Sequence, residues 1–343
     1  MNSKRFHLFA FITIVVVGLA LRTINLQDTF FFGHDQARDL HEIYNIVYKH
    51  DIKIVGAGTD IPGLFGGPLY YYLLLIPYAI SHFNPNSVAI LLIFINLTGI
   101  PLLWYFGKRL EGVTTGSIAA LLWAISFEQA NFSRFISNPS FLSIAALVYF
   151  LGLYEWCIRK KWWGLPLSVF GYGLGTQLDF YLVYLGIFYP VYFFIYTPPF
   201  TKKSVFTAAL AGFMLFASFV VAEIHFSFLG IKSFLRYLSE QKEAGNLLGH
   251  VSLFSTSLAK STRNALFALP GLYPLIPFSA ILVIFFALCK KYKERLFLLI
   301  WLGSTAPLFI FRTNVIGGNF IHSTIHAAII LIVALAITYV LKT

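Results

Sequence analysis

The sequence is poor in charged residues, which make up only 11% of its 343 positions. A soluble domain carries about 25% charged residues, whereas here 58% of the residues are hydrophobic. Cysteine is also scarce, and Cys157 and Cys289 lack the spacing of a metal site or of a disulfide framework. This composition excludes a soluble globular protein and any fold that depends on cysteine.

Alternating patterns typical of a membrane β-barrel are missing as well. Instead, apolar runs of about 20 residues recur, each long enough to cross a hydrocarbon core of roughly 30 Å. Backbone groups in lipid must be paired within their own segment, so these runs are predicted to be helices. The sequence therefore predicts an all-α polytopic membrane protein with about 10–11 membrane helices. We expect one domain over residues 1–343 and no soluble C-terminal domain.

The net charge of +11 does not indicate nucleic-acid binding, because the basic residues form short clusters between apolar runs, where they set topology. We assign these clusters to the cytoplasm: Lys4-Arg5, Lys108-Arg109, Arg159-Lys160-Lys161, Lys202-Lys203, Lys290–Arg295 and Lys342. The outer face then receives segments 27–67, 128–138, 177–179, 223–264 and 312–321. Segment 223–264 is expected to be a second large loop, followed by a helix over residues 265–288. The first apolar run has no cleavage site after it and is predicted to be an uncleaved helix.

The apolar segment Pro68–Ser81 is shorter than the others. At about 14 residues it fits a short helix that stays at the outer leaflet or re-enters from it. Its tyrosines suit the interfacial level. The alternative is a full span, which would invert the orientation of everything downstream.

Acidic residues are concentrated in segment 27–67, the first outer loop. Six of the fourteen in the chain lie there: Asp28, Asp35, Asp39, Glu42, Asp51 and Asp60. Carboxylates are costly beside a bilayer, so the cluster points to chemistry. It is compatible with a general base, with a site for a divalent cation (Mg²⁺ or Mn²⁺), and with ion coupling in a transporter.

Residues Gln36–Tyr48 are predicted to form an amphipathic helix along the membrane surface. Leu40 and Ile43 belong to its apolar face, and Asp35 is a plausible N-cap. Helical spacing places Asp35, Asp39 and Glu42 on one side, and Arg38 at pairing distance from Glu42.

The order of motifs resembles the GT-C membrane glycosyltransferases, in the branch of protein O-mannosyltransferases and lipid A aminoarabinose transferase. His34-Asp35-Gln36 stands where that branch has Asp, commonly Asp-Glu, and Gly67-Pro68-Leu69-Tyr70-Tyr71 matches its aromatic segment. Phe132-Ser133-Arg134-Phe135 resembles a stretch that usually leads to a second Asp. In this sequence Asn138 stands in place of that Asp. Segment Gly173–Asp179 occupies a position where many members of the branch have a lysine, and it contains none.

The resemblance implies a GT-C-type helical bundle and transfer of a sugar from a polyprenyl-phosphate donor to a glycan, lipid or protein acceptor. Transfer would invert the anomeric centre at the outer face of the plasma membrane. It makes Asp35 the general base. Helical spacing adds Asp39, on the same face of the helix, as a candidate catalytic neighbour. Arg134 is the leading candidate for contacting the phosphate, and Asp179 for replacing the missing carboxylate. The remaining candidates for binding donor or substrate are His34, Gln36, Arg38, Tyr70, Tyr71, Asn138, Gln177, His225, Arg312 and His322.

Two other functions remain open at this stage. A transporter or flippase for a lipid-linked or polar solute predicts mid-helix charges and inverted repeats. A non-catalytic subunit of a membrane assembly predicts no binding of polyprenyl phosphate.

Overall fold

The computed structural model describes residues 3–59, 61–240, 247–267, 271–311 and 322–343. Within these ranges the chain is helical, without a β-strand. The α-helices are α1 (Ser3–Thr23), α2 (Leu26–Thr29), α3 (His34–Lys49), α4 (Leu69–Ile80), α5 (Pro85–Leu97), α6 (Gly99–Glu111), α7 (Val113–Ile125), α8 (Phe127–Phe132), α9 (Leu142–Cys157), α10 (Gly164–Leu178), α11 (Phe188–Tyr196), α12 (Lys202–His225), α13 (Leu229–Glu240), α14 (Leu247–Thr262), α15 (Leu275–Leu288), α16 (Tyr292–Leu302), α17 (Ala306–Phe311) and α18 (His326–Val340).

Several of these helices have the length and hydropathy of membrane spans. In the described part of the chain, five segments qualify: Arg5–Thr23, Pro85–Glu111, Asn138–Cys157, Lys202–His225 and His322–Val340. Shorter apolar helices cover Leu69–Ile80, Val113–Ile125, Phe180–Tyr196 and Leu275–Leu288. The prediction of an all-α membrane protein is confirmed, while the number of ten to eleven membrane helices stays a prediction.

Helix α9 forms the centre of the bundle, and every one of its residues is buried. Helix α10 packs closely against it because glycines face the contact. A Cβ on Gly171 would lie 2.4 Å from the Tyr149 backbone nitrogen, and one on Gly152 would lie 2.3 Å from that of Ser168. Small residues of this kind let membrane helices approach. By contrast, α1 and α12 expose most of their apolar side chains.

The basic clusters meet at one end of the bundle. Arg109 pairs with the fully buried Glu155, with 2.8 Å between Nε and Oε1. Glu111 binds both Lys291 and Lys342 at 2.7 Å. Helix α3 lies at the opposite end, where α9 and α18 begin. The end that holds these basic clusters is therefore distinct from the end that carries α3, and the assignment of the clusters to the cytoplasm stays a prediction.

Helix α4 supports the interpretation of Pro68–Ser81 as a short outer helix. Its 12 residues extend about 18 Å at 1.5 Å per residue, less than the membrane core. It packs alongside α3, and Leu40, Ile43 and Leu74 share an apolar cluster. The amphipathic helix is also confirmed, although it begins at His34 and ends at Lys49.

Two predicted segments differ from the structure. Segment 223–264, expected to be a large loop, contains the end of α12 and helices α13 and α14. The helix expected over 265–288 begins only at Leu275, directly after Pro274. Proline lacks a backbone N–H and suits the start of a helix rather than its interior.

Candidate functional site

The acidic helix α3 starts two residues earlier than predicted, at His34 rather than at Gln36. Gly33 occupies the N-cap position rather than Asp35, because the Gln36 Oε1 atom accepts the Gly33 backbone N–H at 2.9 Å. Asp35 therefore lies in the first turn, where the helix dipole favours a negative charge. Its side chain is 69% exposed.

Arg38 links two carboxylates on this helix. Its Nη1 donates to Asp35 Oδ1 at 3.0 Å, while Nη2 and Nε donate to Asp39 Oδ1 at 2.8 and 3.0 Å. The Asp39 side chain is only 4% exposed. Burial raises the pKa of Asp39, and the hydrogen bond from Arg38 opposes that shift. The same two carboxylates keep the pKa of Arg38 above its ordinary value, although its partial burial acts against them.

The predicted ion pair between Glu42 and Arg38 is not formed. Lys53 reaches Glu42 from the loop after α3, with 2.6 Å between Nζ and Oε2, and also binds Asp51 at 2.7 Å. Hydrogen bonds to Asp51 and Glu42 raise the pKa of Lys53. Tyr72 holds this loop as well, donating its hydroxyl to the Lys53 carbonyl at 2.9 Å. Glu42 thus fixes the loop rather than joining Asp35.

The two tyrosines at the start of α4 are buried beneath the acidic helix. Tyr70 is fully buried and Tyr71 is 5% exposed, and both interact electrostatically with Asp39. The Tyr70 ring packs edge-on against Phe141. These rings support α3 from below, so neither ring is exposed in this arrangement for the donor or substrate contact expected of it.

A cavity of about 720 Å³ adjoins the start of the acidic helix. Aromatic, basic and polar side chains from four segments surround it: Thr29, Phe31, Phe127, Glu128, Asn131, Phe132, Arg134, Phe135, Lys260 and Arg263. We call it the basic cavity. Three basic residues against one acidic residue give its wall a positive charge, and its aromatic rings suit an amphipathic anion.

Arg134 has a structural role in addition to lining this cavity. Its Nε donates to the Arg22 carbonyl at 3.1 Å, Nη2 to the Leu21 carbonyl at 2.5 Å, and Nη1 to the Thr29 hydroxyl at 2.8 Å. These carbonyls belong to the last turn of α1, where they have no partner within the helix. Partial burial lowers the pKa of Arg134.

Two contacts join the acidic helix to this cavity wall. The Gln36 amide nitrogen donates to the Ile136 carbonyl at 2.9 Å, and the Phe31 and Phe135 rings lie 5.8 Å apart. Asp35 is therefore held next to the segment that carries Arg134.

Other candidates from the sequence serve the bundle instead. Gln177 Oε1 accepts the Leu69 backbone N–H at 3.4 Å, and its amide nitrogen donates to the Leu215 carbonyl and, at 2.7 Å, to Ser218. Asp179 accepts the Tyr181 backbone N–H at 3.0 Å. Asn138 is half-buried at the first residue of a 3-10 turn, Asn138–Phe141.

The remaining candidates are dispersed. His34 is 91% exposed, with Nδ1 3.9 Å from Asp35 Oδ1. His225 is exposed at the end of α12 against Phe226. His322 is buried near Lys260 of the basic cavity. Arg312 and Asp60 lie outside the described residues.

The sequence reasoning missed a buried polar network below the basic cavity. Arg22 donates to Asn96 at 3.0 Å, Asn96 to Gln129 at 3.0 Å, and Gln129 to His326 at 3.0 Å. All four side chains are at most 2% exposed. The signal was available, because polar residues inside apolar runs are costly and must be paired.

The fit of a divalent cation can be judged from the ligand set. Among the described residues, no three His, Cys, Asp or Glu side chains form a group that could hold a metal ion. At α3 the two carboxylates are bridged by Arg38, an arrangement that does not fit a metal site. A requirement for Mg²⁺ or Mn²⁺ stays a prediction.

The helical bundle has the fold of GT-C-type oligosaccharyltransferases. Over 99% of its length the chain matches the apo oligosaccharyltransferase of Archaeoglobus fulgidus, with a TM-score of 0.60 and 14% identity. A second structure, the same archaeon's AglB in complex with an inhibitory peptide and a dolichol-phosphate, matches with a TM-score of 0.59 and 15% identity. The chain spans 51% of each of these proteins.

Part of the chain also matches a sequence family. Residues 65–221 match the dolichyl-phosphate-mannose-protein mannosyltransferases. This range includes Arg134 but not Asp35. No curated protein matches the chain significantly. The predicted resemblance to GT-C glycosyltransferases of the protein O-mannosyltransferase branch is confirmed.

Proposed function

We propose that this protein is an integral membrane glycosyltransferase that moves a sugar from a polyprenyl-phosphate donor to an acceptor hydroxyl. The observation that carries the proposal is the pairing of an exposed carboxylate, Asp35, with a basic cavity beside it. The family match and the GT-C fold support the same reaction. We place it at the extracytoplasmic face of the plasma membrane, because the basic clusters gather at the opposite end of the bundle.

Asp35 is the general base in this mechanism. Its contacts with other described residues use Oδ1, which leaves Oδ2 for the acceptor hydroxyl. Asp35 takes the hydroxyl proton while the acceptor oxygen attacks the anomeric carbon from the face opposite the phosphate. A new C–O bond forms, the bond from carbon to phosphate oxygen breaks, and the configuration inverts.

The basic cavity stabilises the leaving group. The departing polyprenyl phosphate carries the electron pair of the broken bond, and fixed positive charges are most effective where such charge develops. Lys260 and Arg263 line the cavity beside Arg134. A guanidinium has five N–H groups, and the two that Arg134 does not use in its three hydrogen bonds remain for the phosphate. The aromatic lining contacts the first prenyl units.

The test is incubation of the reconstituted protein with labelled polyprenyl-phosphate sugars and candidate glycan, lipid and protein acceptors, measuring transfer and donor hydrolysis. Asp35→Asn should lower kcat by about 10²–10⁴-fold, the usual contribution of a general base. Asp28→Asn, at an exposed position on α2, is the matched control and should keep full activity. An active wild type with an equally active Asp35→Asn variant refutes the base assignment. Failure with every donor refutes the proposed function.

A further inference from the structure

Gln36 is buried although it neighbours the most exposed carboxylate of the site. It is 1% exposed, and it stands where the resembling family commonly has Glu. One end of its amide accepts the Gly33 N–H at 2.9 Å, and the other end donates to the Ile136 carbonyl at 2.9 Å. A backbone N–H can only donate and a carbonyl can only accept, so the orientation of this amide is fixed.

This pair of bonds requires a side chain that accepts at one end and donates at the other. An ionised glutamate has two acceptor oxygens and would place one of them against the Ile136 carbonyl. A protonated glutamate meets the requirement, because its O–H donates and its C=O accepts. The chemistry of the contact therefore distinguishes Gln36 from the residue common in the family.

The contact connects the two parts of the proposed site. Gln36 directly follows Asp35, and Ile136 lies two residues beyond Arg134, which lines the basic cavity. A displacement of about 1 Å between a base and its substrate can cost about 100-fold in rate. A bond that fixes this spacing has consequences for catalysis without touching the substrate.

We propose that Gln36 is a positioning residue that sets the distance between Asp35 and the basic cavity, and that a Gln36→Glu variant depends on a proton at residue 36. The proposal rests on the function proposed above. The elements packed around Gln36 carry these charged or titratable groups: His34, Asp35, Arg38, Asp39, His41, Glu42, Tyr44, Tyr48 and Lys49 on α3, Tyr70, Tyr71, Tyr72 and Tyr78 on α4, and Arg134 in the segment of Ile136. These groups titrate in the wild type as well. The ratio of variant to wild-type activity therefore reports only the protonation of the residue at position 36.

The experiment measures kcat and donor KM between about pH 5 and pH 8 for wild type, Gln36→Glu and Gln27→Glu. Buried glutamates remain protonated up to pH values well above the ordinary range. We expect Gln36→Glu to lose at least about 10-fold in kcat at pH 8, with donor KM within twofold, and to regain activity relative to wild type as the pH falls. Gln27→Glu makes the same change at an exposed position on α2 and should give a ratio independent of pH. A flat ratio for Gln36→Glu, or a loss confined to KM, overturns the proposal.

A second variant and a second measurement keep the test decisive. Gln36→Met removes both hydrogen bonds at similar size and should lose kcat equally at every pH; wild-type kcat in this variant overturns the proposal. The melting temperature of Gln36→Glu should rise toward that of wild type as the pH falls. That measurement needs no substrate, so the contact can be tested even if no donor is turned over and the proposed function fails.

Discussion

Gln129 is the centre of the buried network below the basic cavity, and replacing it by leucine tests what that network contributes. Its Oε1 accepts from Asn96 at 3.0 Å and from Ser143 at 2.9 Å, and its Nε2 donates to His326 at 3.0 Å. Leucine fills a similar volume but makes none of these bonds. The change therefore removes three hydrogen bonds between α8 and the helices around it.

The expected magnitude depends on the environment. In a soluble core, three buried groups left unpaired cost about 1–3 kcal/mol each, or about 3–9 kcal/mol together. Hydrogen bonds between membrane helices average only about 0.6 kcal/mol, because the unfolded segments also find partners within the bilayer. We therefore expect Gln129→Leu to lower the free energy of unfolding by about 2 kcal/mol.

Reversible unfolding in mixed micelles, followed by circular dichroism, measures this free energy. Ser143→Ala removes one of the three bonds and should cost about 0.6 kcal/mol in wild type but much less in the Gln129→Leu background. A cost of under about 0.5 kcal/mol for Gln129→Leu, or a cost for Ser143→Ala equal to it, would refute the reasoning that these bonds act through Gln129.

Three further predictions concern residues around the acidic helix. Gly67→Ala should lower the melting temperature, because the new Cβ would lie 2.0 Å from Gln177 Oε1. Gly66→Ala is the control and should leave the melting temperature unchanged, because its Cβ would lie 3.5 Å from the nearest atom. Equal effects of the two substitutions would contradict this prediction. Burial raises the pKa of Asp39 above its ordinary 3.8. The folded protein is therefore most stable while the Asp39 carboxyl is neutral, and it loses this stability as the pH rises through the raised pKa. The melting temperature of Asp39→Asn minus that of wild type should therefore grow from about pH 3.5 to about pH 7, and a constant difference would argue against it. Arg134→Lys keeps the charge but cannot reproduce three hydrogen bonds, and should cost about 1–2 kcal/mol in unfolding free energy; unchanged stability would mean that the cap on α1 is unimportant.

Local features of the molecule were predictable from sequence. The helical period of Leu40 and Ile43 indicated the amphipathic helix, and both side chains are buried in the structure. The length of Pro68–Ser81 indicated a short helix, and α4 has 12 residues. Such features depend on neighbouring residues and on the thickness of a membrane, both of which a sequence encodes directly.

The site depended on contacts between distant parts of the chain. Helical spacing placed Asp35 and Asp39 on one side and gave no reason to separate them. Packing of α3 on α4 buries Asp39 and leaves Asp35 exposed. The bond from Gln36 to Ile136 joins residues 100 positions apart, a separation at which sequence periodicity carries no information.

The sequence by itself therefore determined the membrane class, the amphipathic helix and the acidic loop, because hydropathy and period act over a few turns. Only the tertiary structure decided which carboxylate meets solvent and what holds it beside the basic cavity. The physical reason is that burial and hydrogen-bond partners are set by whichever segments pack together, and residues with the same local pattern can receive different neighbours.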